Sequence, residues 1–259
     1  MTEAPVLTVT GLRKAYGGVR ALDGVGFEVE GGRVTSLIGP NGAGKSTLFN
    51  VISGVTRPDA GSILFGGRNI AGVSTERVVR LGLGRSFQTP RPFPRLTALE
   101  NVMIGLHTRG RSGWVSCLLG LPHARREDRR AHEEALARLQ FVGLAGAAGE
   151  HADRLPFAMR RHLEIARVLA ASPTLVCLDE PAAGLNAAEI EELGRLIRTI
   201  VESGVTVLLV EHRMELVMSL SAKVVVLNFG QKIAEGTPAA VRNDPRVVEA
   251  YLGGRRVRA

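Results

Sequence analysis

The chain has 259 residues, 45% of them hydrophobic and only 4% aromatic, which is enough for one large α/β domain with a core of Val, Leu, Ile and Ala. Its formal charge of +8 is mostly arginine, and the basic runs "HARREDRR" (123–130) and "RRVRA" (255–259) lack the interleaved aromatics that stack bases, so solvated faces and an electrostatic partner site both stay open. "MTEAPVLTVTGLRK" has no signal-peptide apolar run, the longest apolar runs are of strand length, and Cys117 and Cys177 have no metal or redox spacing, which predicts a soluble, cytosolic chain.

Along the chain, "VLTVT", "RVTSLIG" and "SILF" predict short strands joined by glycine-rich turns. "RVTSLIG" runs into "GPNGAGKST" (39–47), followed by an apolar helix that begins "TLFNVI". This is G-x-x-x-x-G-K-[ST] in a strand–loop–helix setting, and the agreement of all three parts outweighs a plain glycine turn. Gly39, Pro40, Asn41, Gly42, Ala43, Gly44, Lys45, Ser46 and Thr47 are therefore the predicted nucleotide-binding residues. Backbone N–H groups would close around phosphate oxygens, Lys45 would meet the β and γ phosphates, and Ser46 would offer its hydroxyl to Mg²⁺. ATP and Mg²⁺ are the expected ligands.

From 96 to 158 the character turns helical. "TALENVMIGL" predicts one helix and "RREDRRAHEEALARLQFVGL" a longer one, with Ala135, Leu136, Leu139 and Val142 on one stripe. Between them, "HTRGRSGWVSCLLGLPH" reads as a loop with a short apolar turn. Past residue 160 a helix leads into "TLVCLD", an apolar run typical of a buried parallel strand. That strand delivers Asp179 and Glu180 to its C-terminal edge, where α/β ligand sites lie. Asp179 would hold Mg²⁺ through water and Glu180 would take a proton from an attacking water; the alternative for Glu180 is a helix-capping acid before Pro181. "AAEIEELGRLIRTIVESG" predicts a helix with Ile190, Leu193, Ile197, Ile200 and Val201 on one side and Gly204 at its stop, and "VTVLLV" and "KVVVL" supply further strands. The fold class is α/β, a P-loop NTPase core interrupted by a helical insertion.

With these motifs in place, the chain resembles the ATP-binding subunits of ABC transporters over essentially its whole length. The resemblance implies one ABC ATPase domain, with core 1–95 and 159–259 and a helical subdomain at about 96–158. It also assigns further roles. Tyr16, in "KAYGGVRAL", resembles the aromatic that stacks on adenine, and Gln88, in "GRSFQTPRPF", resembles the glutamine that senses Mg²⁺ and the γ-phosphate. His212, in "VLLVEHRMEL", is similar to the switch histidine at the γ-phosphate, so Glu180, His212 and Gln88 form the implied catalytic set and Ser46, Gln88 and Asp179 the implied metal set. "AAGLN" (182–186) resembles the loop that crosses the dimer interface, with Asn186 where Asp is commoner. "LEIARVLAASPTLVCLDEPAAGLN", "VEHRMELVMSL" and "GTPAAVRNDPRVVEAYLGG" are similar to the ATP-binding subunits of branched-chain amino acid importers.

One stretch departs from the family. Its signature loop reads Leu-Ser-Gly-Gly-Gln, or Leu-Ser-Tyr-Gly-Gln in this subgroup, whereas here it is Leu155, Pro156, Phe157, Ala158 and Met159. Pro156 removes a hydroxyl and an N–H, Ala158 adds a Cβ, and Met159 replaces an amide with a thioether. Proline is tolerated in the first turn of a helix, so the helix is expected to survive while phosphate contacts are lost. The resemblance then implies a peripheral subunit on the cytoplasmic face of the membrane. Its expected partners are transmembrane permease subunits, a second ATP-binding subunit in a heterodimer and, indirectly, a periplasmic or extracellular solute-binding protein; nucleic acid is not expected. A weakly hydrolysing regulatory subunit and a soluble non-transport ABC protein are the alternatives.

Overall fold

Strands β3 (Val34–Ile38), β7 (Leu175–Asp179) and β8 (Thr206–Val210) are buried at every position, as near-continuous apolar runs require when both faces of a parallel sheet are covered. The computed structural model describes residues 4–86, 90–107 and 122–253, with side chains for 4–86, 90–106 and 129–251. Gln88, Cys117 and the run 255–259 therefore lie outside the described residues. What is described divides into two compact units, one within Met1–Arg85 and Thr174–Ala259 and the other within Ser86–Pro173.

In the first unit a six-stranded sheet has the order β10-β9-β3-β8-β7-β6, with β6 at Leu83–Arg85, β9 at Lys223–Asn228 and β10 at Gln231–Gly236. Its pairings are parallel except for the β9–β10 hairpin. Leu37 of β3 and Asp179 of β7 both pair with Val210 of β8, so three central strands end level with one another. The loops that follow them share one sheet edge. A four-stranded antiparallel sheet has the order β2-β1-β4-β5, from β1 (Leu7–Tyr16), β2 (Val19–Val29), β4 (Ala60–Phe65) and β5 (Arg68–Asn69). One core joins Leu7, Leu12 and Phe27 of this sheet to Leu37, Leu208 and Leu227 of the other, with Phe49 and Ile52 of α1 (Lys45–Ile52) among them. Helix α2 (Thr75–Arg80) is short and buries Val78.

Two helices of this unit show how local sequence sets their ends. Helix α6 (Ala187–Glu202) starts on a reciprocal cap in which the Asn186 side chain accepts from the Glu189 N–H at 3.1 Å and the Glu189 carboxylate accepts from the Asn186 N–H at 2.9 Å. Asparagine thus does the capping that aspartate would do. The helix turns Leu193, Ile197 and Ile200 into the core, while Ile190 and Val201 are half-buried. Helix α7 (Met214–Leu220) and the C-terminal α8 (Pro238–Arg242) and α9 (Pro245–Gly253) place Val217, Val241 and Val247 in a smaller cluster with Ile38, Val224 and Val226.

The second unit packs α3 (Ala98–His107) against α4 (Pro122–Phe141) and α5 (Phe157–Ala170). It reaches beyond the interval 96–158 read from the sequence, because α5 packs on α3. Their approach is close: a Cβ on Gly105 would stand 2.5 Å from the carbonyl oxygen of Arg167. On α4, Ala135 and Leu139 are buried and Val142 follows them inward, while Leu136 from the same apolar stripe is exposed. Pro156 caps α5 with φ −52° and ψ 154°, and the first helical bond, from Arg160 N–H to Pro156 O at 3.0 Å, forms normally. Among the described residues no helix is long and apolar enough to cross a membrane.

Gly105 yields a test in which two effects oppose. Alanine improves helix propensity by about 1 kcal/mol, but overpacking against a backbone carbonyl costs about 1–3 kcal/mol. Gly105→Ala is expected to lower the thermal midpoint, and a raised midpoint would mean that the two helices part without cost.

Candidate functional site

The loop between β3 and α1 is shaped by three glycines in the left-handed region, Gly39 at φ 152°, Gly42 at φ 81° and Gly44 at φ 102°. A Cβ on Gly39 would sit 2.2 Å from the carbonyl oxygen of Leu227 and one on Gly44 would sit 2.4 Å from that of Ala21. The loop is thereby pressed between β9 and β2. Inside it the Lys45 ammonium is buried and donates to the carbonyl oxygens of Gly39 at 2.7 Å and Pro40 at 3.0 Å. Burial lowers the Lys45 pKa from its ordinary value, while the nearby carboxylates of Glu180 and Asp179 pull it back up. Asn41, Gly42 and Ser46 are exposed, Pro40, Gly44 and Thr47 are half-buried, and Ala43 is buried.

Opposite the loop, Asp179 ends β7 with its carboxylate largely buried, and burial raises its pKa above the usual carboxylate range. Arg85, at the end of β6, opposes that shift: its Nη2 donates to Asp179 Oδ2 at 3.1 Å. The same guanidinium donates from Nη1 to Asn50 Oδ1 and Ser53 Oγ, each at 2.8 Å, and lies 5.8 Å from the centroid of the Phe49 ring. Arg85 thus pins the strand-end carboxylate to the helix that follows the phosphate loop. Ser46 Oγ and the Asp179 carboxylate are hard oxygen donors, the kind Mg²⁺ combines with substrate phosphates and water, so the donor chemistry fits that ion.

Glu180 follows with φ +45°, an unusual backbone state for a residue other than glycine, held by its N–H donating to Val210 O at 2.9 Å. His212 lies across from it, half-exposed, with Nδ1 3.8 Å from Glu180 Oε2 and 3.9 Å from Glu211 Oε2. Between the two loops stands Glu211, wholly buried. Tyr16, at the end of β1, is 48% exposed with Lys14 Nζ 5.4 Å from its ring centroid, so it is no core tyrosine. The strand ends therefore bring together Lys45, Asp179, Glu180 and His212, while Gln88 lies outside the described residues. The sequence alone does not point to Arg85 or Glu211, because an arginine in "GRSF" and a glutamate beside His212 carry no motif of their own. The strand order brings Asp179 to Arg85 and Ala182 to Glu211.

Comparison with known proteins follows the same lines. The family model for ABC transporters matches residues 22–183, and one for branched-chain amino acid ATP-binding cassette transporters matches 231–257. The high-affinity branched-chain amino acid transport ATP-binding protein BraF of Pseudomonas aeruginosa is 43% identical over 250 residues, covering 96% of this chain and 98% of that protein. LivG of Escherichia coli, which carries the same description, is 40% identical with the same coverage. Among solved structures, an ATP-binding cassette of an ABC transporter in its ADP conformation matches with a TM-score of 0.85 at 34% identity, over 96% of this chain and 99% of that one.

Arg85→Met leaves the Asp179 carboxylate buried without its cation, a change that costs about 3–5 kcal/mol in comparable buried pairs. Chemical denaturation should show a loss of that order. A loss below about 1 kcal/mol, the range of exposed pairs, would show that solvent screens this contact.

Proposed function

The chain belongs to the ATP-binding subunits of ABC transporters, and we propose that it hydrolyses MgATP on the cytoplasmic face of the membrane to power import of branched-chain or other hydrophobic amino acids. The observation that carries this reading is the convergence of the phosphate loop, Asp179, Glu180 and His212 at one sheet edge. The named relatives, similar along almost their whole lengths, support the choice of solute.

In this reading the exposed ring of Tyr16 stacks on adenine and the loop N–H groups of 39–47 take the phosphate oxygens. Lys45 exchanges its two carbonyl acceptors for β and γ oxygens. Ser46 and Asp179 would hold Mg²⁺, with Gln88 assigned alongside them by family resemblance; when bound, the ion would neutralise phosphate charge. Glu180, at a rigid strand end, accepts the proton of the attacking water, and His212 donates to the γ-phosphate from the facing loop. A single ABC ATPase domain comprising both compact units is part of the proposal.

Two partner assignments complete it. Phe93 is exposed yet fixed, since Asn101 binds its N–H at 2.8 Å and its carbonyl at 3.1 Å and the Arg167 guanidinium lies 5.0 Å from its ring centroid. That makes it a rigid apolar contact for a transmembrane permease subunit. The second partner is another ATP-binding subunit with an intact signature loop. In a head-to-tail pair, Pro156, Ala158 and Met159 cover the partner's nucleotide, and this chain's own phosphate loop receives the intact signature. The two ATP sites are therefore unequal, the one on Lys45 and Glu180 being fast. A solute-binding protein delivers the amino acid to the permease on the opposite side of the membrane.

Glu180→Gln in the assembled transporter should keep MgATP binding and slow hydrolysis at this site by about 10²–10⁴-fold; parental turnover would remove Glu180 from the role of base. Restoring the signature with Pro156→Ser, Ala158→Gly and Met159→Gln should accelerate only the partner's site. Two regained donors to a charged phosphate amount to about 3–6 kcal/mol, a gain of at least about 100-fold if they act only in the transition state. Equal single-site rates before the restoration would contradict the asymmetry.

A further inference from the structure

Glu211 is the first residue beyond β8, fully buried, with a half-exposed histidine as its neighbour. Its two carboxylate oxygens meet three backbone donors from two loops. Oε1 accepts from the Ala182 N–H at 2.8 Å, and Oε2 accepts from the N–H groups of His212 at 3.0 Å and Arg213 at 3.3 Å. Ala182 stands two positions past Glu180, and Ala183 donates to the Glu180 carbonyl at 3.1 Å. The Glu180 backbone is thus tied to the strand end through Val210 O and to Ala183 in the turn that follows, and Glu211 holds that turn at Ala182. Arg213 adds a second tie between the same loops, from its Nη2 to Leu185 O at 3.4 Å.

The His212 ring is beyond hydrogen-bond distance of both neighbouring carboxylates, so its position relative to Glu180 comes from backbone and not from a direct bond. Glu180 itself is held at φ +45°, a state that persists only where surrounding contacts over-determine it. We infer that Glu211 is a positioning residue that sets Glu180 and His212 against each other by binding the backbone of both their loops. Glutamine cannot replace it. An amide has one acceptor oxygen, and its NH₂ end would turn a donor toward a backbone N–H.

The inference rests on the reading of Glu180 and His212 as the reacting groups, so Glu180→Gln and His212→Ala are run beside it. The experiment measures kcat, MgATP affinity and the thermal midpoint of Glu211→Gln and Glu211→Asp in the assembled transporter. A displacement of about 1 Å in a catalytic group costs roughly 10²-fold. Glu211→Gln should lose kcat on that scale while MgATP affinity stays within about threefold, since the phosphate loop is untouched. A carboxylate that only stabilises the fold would lower folded yield and thermal midpoint without changing kcat per folded molecule. Parental kcat in folded Glu211→Gln would overturn the inference, and so would parallel losses of kcat and affinity or failure of both variants to fold. Parental turnover in Glu180→Gln and His212→Ala would instead overturn the site reading and the inference with it. Loss in those two with none in Glu211→Gln removes the inference alone.

Discussion

A buried ammonium needs acceptors, and the site is built around supplying them to Lys45. Taking a cation out of water is costly unless it is paired or hydrogen-bonded. Here the carbonyls of Gly39 and Pro40 turn inward to meet Nζ, and Asp179 and Glu180 supply the opposing charge. A backbone can present its carbonyls this way only by passing through conformations that a Cβ would block. That is why Gly39 sits tight against Leu227 of β9 and Gly44 against Ala21 of β2. Even the β9–β10 turn takes part, with the Gly230 N–H donating to Ala43 O at 3.0 Å and the Asp23 N–H to Gly230 O at 2.8 Å. In the proposed function a phosphate would compete with the Gly39 and Pro40 carbonyls for Lys45.

Opposite charges face one another around it. Arg85 at the end of β6 pairs with Asp179, and Lys45 lies near both Asp179 and Glu180, two carboxylates side by side at the end of β7. Desolvation raises Asp179 and lowers Lys45, while the neighbouring opposite charges oppose both shifts. Cys177 behind them, wholly buried and with its thiol pushed up to about 12, is inert packing in this arrangement. The polar pins differ in kind: Arg85 holds a side chain to a helix, and Glu211 holds backbone to backbone.

What the sequence made legible was whatever is local. The phosphate loop announces itself because glycines, lysine and serine stand at fixed spacing between a strand and a helix. The run "LVCLD" could be read as a buried strand from its continuous apolar character. Strand β2 escaped notice because "VRALDGVGFEV" holds two glycines and only a weak apolar alternation, although it pairs with β1 along its length. Arg85 and Glu211 escaped for another reason. Each has a partner distant in sequence, Asp179 for Arg85 and Ala182 for Glu211, and the strand order β8-β7-β6 brings these within reach. The compact helical unit spans Ser86–Pro173, and nothing local in the sequence says that α5 packs on α3 through Gly105. Asn186, noted as a departure, turned out to keep the one contact that matters locally, the helix cap.

In the proposed function, nucleotide is held by this chain's own phosphate loop through Lys45. Titration of the purified chain with MgATP, followed by calorimetry, tests it directly against Lys45→Met, which keeps the length of the side chain and removes the charge. Each lost bond to a charged group is worth about 1.5–3 kcal/mol, or about ten- to 150-fold in affinity. One MgATP per chain is expected, with a weakening of at least about tenfold in the variant. Equal affinities for the two proteins would contradict it.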